Sequence, residues 1–165
     1  MLTHADLLKV LSYDPDTGQF TWETPTARCI KPGMRAGYET GKGYVSLRLF
    51  GRDYRAHNLA WFYVTGEWPV EELDHINGKP GDNRIANLRQ CRRKDNCRNI
   101  TTPSHNTSGA TGVSWNKRLE KWCAYIATDG VLKHLGCFSD KDLAIEVRRD
   151  AALRMHGEFA GELRK

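Results

Sequence analysis

The chain has 165 residues, of which 39% are hydrophobic and 27% charged; this composition excludes a disordered protein and leaves room for one domain or two small ones. With 25 Lys and Arg against 20 Asp and Glu, the net charge is +5, which permits a polyanionic partner without requiring one. The basic excess is spread along the chain, so any positive surface must be organised by folding.

No apolar run nears the ~20 residues of a membrane span, and the N-terminal MLTHADLLKV lacks the basic-then-apolar pattern of a signal peptide. A cytoplasmic protein without membrane contact is expected. Five cysteines, Cys29, Cys91, Cys97, Cys123 and Cys137, make an odd set without a C-x-x-C pair. That argues against a disulfide framework and a zinc finger, and for a reducing compartment.

In chain order, Thr3 and Asp6 form a capping pair ahead of Leu7, Leu8, Val10 and Leu11, which share a short amphipathic helix. Asp14 to Gly18 is a turn by composition, and Gln19 to Trp22 reads as a strand. Glycine-rich residues 33–43 lead into a strand over Tyr44 to Phe50, turned back by Gly51-Arg52 along Asp53 to Ala56. His57 to Thr65 is a helix that stops at Gly66. Leu88 to Cys91 forms another short strand and Arg93 to Asn99 a polar helix. The Thr/Ser/Gly/Pro-rich stretch after it is a linker. Beyond lie three strands, Val113 to Trp115, Trp122 to Ala127 and Val131 to Phe138. A last helix, opened by Ser139 and Asp142, has Leu143, Val147 and Ala151 at i+4 spacing and ends at Gly157. The fold class is therefore α+β, in four segments: 1–56 packing on the next part, 57–103, a linker at 104–111, and a sheet-plus-helix module at 112–165.

The chemistry concentrates between Leu73 and Asn99, LDHINGKPGDNRIANLRQCRRKDNCRN. A hard divalent cation takes oxygen ligands, and Asp74 and Asn96 can each supply one. His75 suits a base that takes a proton from water near neutral pH. Asn77 and Asn83 fit loop structure, since Asn tolerates left-handed backbone. Asp82 closes the loop, with Arg84 either paired to it or touching phosphate. Cys91 and Cys97 read as inert.

Four fragments in this order, His57-Asn58-Leu59, Asp74-His75-Ile76-Asn77-Gly78, Asp82-Asn83-Arg84-Ile85-Ala86-Asn87-Leu88-Arg89 and Asp95-Asn96, resemble the HNH endonuclease motif of phage and intron-encoded nucleases. The resemblance implies a ββα-metal fold with His75 as general base. Asp74 and Asn96 would be ligands of one divalent ion, Mg2+ or Mn2+, and Asn87 would hold the His75 ring. His57 recurs in the pattern and takes an accessory place beside Arg84.

Gly112-Val113, Lys121 to Ile126, Leu135 to Phe138 and Ala151 to Gly157 resemble the DNA-binding domain of plant ethylene-response factors, which implies a three-stranded sheet laid in the major groove. Alternation turns Trp122, Ala124 and Ile126 toward the helix and Lys121, Cys123, Tyr125 and Ala127 outward. Ser114 and Asn116 share a face opposite Val113 and Trp115, and both Trp115 and Trp122 belong to the core. The expected DNA contacts are Ser114, Asn116, Lys117, Arg118, Lys121, Tyr125, Lys133 and His134, the cations holding phosphate rather than reading bases.

These readings converge on a homing-type, metal-dependent endonuclease of phage or prophage origin. It would act on double-stranded DNA and, with one site per chain, nick it as a monomer. The rivals are a non-catalytic DNA-binding regulator that keeps only the HNH fold, and an RNA-directed protein.

Overall fold

The computed structural model describes residues 2–25, 27–96, 106–128 and 130–157. Cys97, Asn99 and the first residues of the expected linker lie outside them. The chain divides into two compact units, Met1–Arg93 and Lys94–Lys165, and its helices and small antiparallel sheets make it α+β.

In the first unit, helix α1 (His4–Val10) opens with a complete capping box: Asp6 N–H donates to Thr3 Oγ1, and the Asp6 carboxylate accepts from Thr3 N–H. Leu11 does not extend this helix. It begins strand β1 (Leu11–Asp14), in which Leu11 and Tyr13 point into the core, because period-two burial outweighs helix propensity here. A turn pinned by the Asp14 carboxylate on Asp16 N–H and Thr17 Oγ1 leads to β2 (Gln19–Trp22), paired with β1 and with the short β3 (Arg35–Ala36). A second sheet has β4 (Tyr38–Glu39), β5 (Val45–Leu49) and β6 (Arg52–Arg55).

Helix α2 (Ala56–Thr65) follows at once and ends on Gly66 at φ 76°, the left-handed terminator read from the sequence. Its Leu59, Ala60 and Phe62 are buried in one core with Leu7, Leu11, Phe20, Leu47, Leu49 and Leu88. Fully burying each large side chain contributes roughly 1.5–3 kcal/mol. Residues before 57 and after it thus share a single hydrophobic cluster. On that base stands the hairpin of β7 (Glu72–His75) and β8 (Leu88–Cys91), with a 3₁₀ turn at Ile85–Asn87. A helical turn, α3 (Arg93–Asn96), comes next.

In the second unit, residues 106–111 form a hydrogen-bonded turn. Asn106 Oδ1 accepts from Ser108 N–H and Gly109 N–H, and Ser108 is buried. Strands β9 (Val113–Asn116), β10 (Lys121–Thr128) and β11 (Val131–Phe138) form an antiparallel sheet with β10 in the middle. Helix α4 (Lys141–His156) packs on it, capped by Asp140, whose carboxylate accepts from Asp142 N–H, rather than by Ser139.

The helix buries Ala144, Arg148, Ala151 and Ala152, whereas Leu143 is 44% exposed. The buried stripe keeps Ala151 of the expected line but otherwise runs one residue past Leu143 and Val147. Trp115 is also 44% exposed, not core: β9 is an edge strand, and its Trp115 ring meets Trp122 edge-on at 5.3 Å. The expectation of unpaired cysteines fails too, since Cys123 and Cys137 are directly opposite on β10 and β11 and joined as a disulfide. Sequence spacing shows no such pair because it arises from cross-strand register.

Candidate active site

The strand β7 ends in the two residues that matter most. Asp74 is 5% and His75 6% exposed, unusual burial for ionisable groups and costly unless each is partnered. Asp74 stands opposite Arg89 in the β7–β8 register, and Arg89 donates to Asp74 Oδ2 from Nε at 3.1 Å and from Nη2 at 2.9 Å. The guanidinium gives the buried carboxylate a charged, two-pronged partner that fixes its orientation. Arg89 lay within the motif, but nothing in its sequence context assigned it to Asp74.

The loop from Ile76 to Arg84 is held by a dense polar network. Asn87 is its hub: Oδ1 accepts from Asn77 N–H, while Nδ2 donates to Asn77 Oδ1 and to the Asp82 carbonyl. Asn77 Nδ2 donates to Asp82 Oδ2 at 2.7 Å, and Arg84 clamps both Asp82 oxygens at 2.8 and 2.6 Å. The Arg84 guanidinium, with Asn77 behind it, holds the Asp82 carboxyl down at about 2. Of the two readings of Arg84, the structure shows the pairing with Asp82.

The His75 ring meets a different asparagine from the one expected. Asn83, 2% exposed, presents Oδ1 3.4 Å from His75 Nε2, and its Nδ2 donates to the Gly81 carbonyl. Asn87 directs its side chain to the loop, and its carbonyl accepts from Ile76 N–H at 2.9 Å, next to His75. The β1–β2 hairpin fixes Asn83 from outside. Tyr13 Oη donates to the Asn83 carbonyl at 2.8 Å. At the hairpin tip, Gly18 (φ 70°) lies so close that a Cβ there would stand 2.4 Å from Arg84 N and 2.6 Å from the Asn83 carbonyl carbon. Only glycine fits that position.

His57, on the first turn of α2, crosses the His75 ring edge-on, with centroids 5.1 Å apart at 87°. Tyr44, just before β5, stands 5.8 Å from His57 and 6.1 Å from His75, with the Arg55 guanidinium over its own ring at 5.2 Å. Burial, then the proximity of His75 and Arg55, pushes the His57 imidazole down to about 4. It is therefore neutral at physiological pH. Its Nδ1 is buried without a hydrogen-bond partner. From the sequence Asn83 reads only as loop structure and Tyr44 only as the start of a strand, and Tyr13 carries no signal; their places at His75 depend on contacts between distant segments. Asn96 ends α3, half-buried, and falls in the second unit.

In the second unit, register sorts the expected DNA contacts. Ser114 pairs with Cys123 and Asn116 with Lys121, so these share the outer face with Tyr125 and its partner His134, whose rings lie 5.0 Å apart. Asn116 Oδ1 accepts from Arg118 N–H and Leu119 N–H, shaping the turn that carries Lys117 and Arg118. Lys133 pairs with Ile126, which is buried on the helix side. It therefore lies on the opposite face from Tyr125 and His134.

Against known proteins, residues 54–98 match the HNH endonuclease family model, a range that takes in His57, Asp74, His75, Asn83, Asn87 and Asn96. The chain is 34% identical over 118 residues to protein 3.8 of Escherichia phage T7, an alignment covering 70% of this chain and 95% of that protein. No solved structure matches. With nearly the whole phage relative spanned, and the family match centred on the buried Asp74–His75 pair, the chain belongs to the HNH endonuclease family.

Proposed function

We propose that the protein is a metal-dependent DNA endonuclease that hydrolyses phosphodiester bonds and nicks duplex DNA as a monomer. The observation that carries this reading is His75, buried beside Asp74, with Asn83 Oδ1 facing its Nε2. An amide oxygen only accepts hydrogen bonds, so this contact suits the tautomer with the ring proton on Nε2. His75 then takes a proton from the attacking water, and Asn83 holds the ring while it does so.

HNH nucleases typically use divalent metals, and the donors here fit one. A carboxylate oriented by Arg89 suits a hard, oxygen-seeking ion such as Mg2+ or Mn2+. Asp74 would hold it, and the motif adds Asn96 as a second oxygen donor. The ion, when bound, neutralises charge on the phosphate and leaving oxygen. His57 stays neutral and so does not repel a proton arriving at His75. The second unit supplies DNA contacts through Ser114, Asn116, Lys117, Arg118, Lys121, Tyr125 and His134, on the plan of the plant ethylene-response-factor domain. The phage relative supports a phage or prophage origin; a homing-type role is proposed on the resemblance to phage and intron-encoded nucleases alone.

Plasmid nicking with Mg2+ tests the reading. His75→Ala should lose activity by at least about 10²-fold, and chelation should abolish it in the parent. Equal nicking by both proteins, or none by the parent at any metal concentration, overturns it.

A further inference from the structure

We propose that Cys123, His134 and Cys137 form a second metal site, separate from the nuclease motif, that binds Zn2+ when the two cysteines are reduced. Their ligand atoms, two sulfurs and an imidazole nitrogen, all lie within 4.8 Å of one another, and His134 Nε2 is 3.3 Å from Cys137 Sγ. A tetrahedral zinc ion with bonds of about 2.3 Å to sulfur and 2.0 Å to nitrogen sets neighbouring ligands roughly 3.5–3.8 Å apart. The His134–Cys137 distance already approaches that value. The donor set is soft, unlike the oxygen donors around Asp74.

A local irregularity in β11 makes the cluster possible. His134 and Cys137 are three residues apart, so in a regular strand they would point to opposite faces. The pairing instead steps from Ala124↔Gly136 to Tyr125↔His134, leaving Leu135 without a cross-strand partner. That bulge brings both side chains to one face, as bulges commonly re-aim side chains at functional sites. Gly136 carries the distortion at φ 139°, and a Cβ there would meet Phe138 at 2.8 Å. Tyr125 lies against the His134 ring at 5.0 Å. Cys123 is buried, Cys137 half-buried and His134 exposed, so an ion reaches the site from solvent and keeps one coordination position for water.

Disulfide and metal are alternative states of the same pair. A thiol reductant delivers two electrons and two protons to the S–S bond, giving two thiols while its own thiols close into a disulfide. Zinc then binds both sulfurs as thiolates, and their two protons leave to solvent. The site does not depend on the nuclease reading.

Cobalt is the probe, because a thiolate ligand gives it an intense near-ultraviolet charge-transfer band that oxygen ligands at Asp74 do not. Titration of the reduced full-length protein with Co2+ should raise this band to saturation at one ion, displaceable by Zn2+. Cys137→Ser should lose at least half the band, His134→Ala should weaken affinity at least about tenfold, and Cys29→Ser should change nothing. No band in the reduced protein, or an undiminished band in Cys137→Ser, overturns the proposal. Mass-mapped alkylation of reduced wild-type protein gives a check without substitution. Zn2+ should slow iodoacetamide labelling of Cys137 at least about tenfold and leave exposed Cys29 unaffected; equal labelling of Cys137 with and without zinc also overturns it.

Discussion

The two units place their polar groups in opposite ways. In Met1–Arg93, Asp74, His75, Asn83 and Asn87 are all buried, each with side-chain partners on the same hairpin or on β1. They rest on a core of Leu and Phe side chains. In Lys94–Lys165 most of the described polar candidates sit on one sheet face and the turn beside it, over a core of four alanines with Val113 and Ile126. A hydrolytic site needs ring and carboxylate fixed to within fractions of an ångström, and only a desolvated, satisfied network gives that. Phosphate contact needs no such precision, since a lysine on a flexible stem acts as a point charge. Substitutions should therefore cost far more in the first unit than in the second.

The most severe break is Arg89→Ala. It removes the guanidinium that donates twice to the Asp74 carboxylate, 5% exposed, and losing one partner of a buried pair costs about 3–5 kcal/mol. Urea unfolding followed by tryptophan fluorescence should show that loss. A change below about 1 kcal/mol would mean that the carboxylate is not held as described.

Acid should expose the same buried character at His57. Its folded value is lowered to about 4 from an ordinary 6.5, so the unfolded chain binds more protons between those values. Stability then rises with pH across the window and is lost as pH falls from 6.5 toward 4, by roughly 3 kcal/mol once His57 is forced to charge. Asp82, lowered to about 2 from 3.8, acts only below that window. His57→Phe should flatten the slope between pH 6.5 and 4, and a slope that survives the substitution would assign it to another group.

Much of this was legible in the sequence where the signal is local. The helix ending at Gly66, the Thr3–Asp6 box and β11 at Val131–Phe138 appear where periodicity and capping put them. What escaped depends on distance. Three asparagines in one loop are chemically alike, and the one that meets His75 is chosen by Tyr13, 70 residues earlier, and by Gly18. The bulge at Leu135 breaks the alternation used to sort faces. The Ala144–Ala152 stripe was hidden because alanine carries little hydrophobic signal beside Leu143.

Tyr13→Phe tests that long-range control directly. It removes one hydroxyl and leaves the Asn83 carbonyl unpaired in a buried setting, at a cost of about 1–2 kcal/mol. If the hairpin holds Asn83 against the ring, nicking should fall several-fold beyond what the stability loss explains, with kcat rather than KM affected. An unchanged kcat would reduce the hairpin to packing alone.

The smallest effect sharpens the comparison within the second unit. Lys121 and Lys133 are both exposed and carry the same charge, but Lys121 pairs with Asn116 on the outer face, whereas Lys133 pairs with Ile126 on the helix side. If the outer face lies on duplex DNA, Lys121→Ala should weaken binding a few-fold and lower the slope of log affinity against log salt by about one, the loss of one phosphate contact. Lys133→Ala should leave that slope unchanged. Fluorescence anisotropy across a salt series separates the two, and equal slopes in both variants would show that net charge rather than the sheet face governs binding.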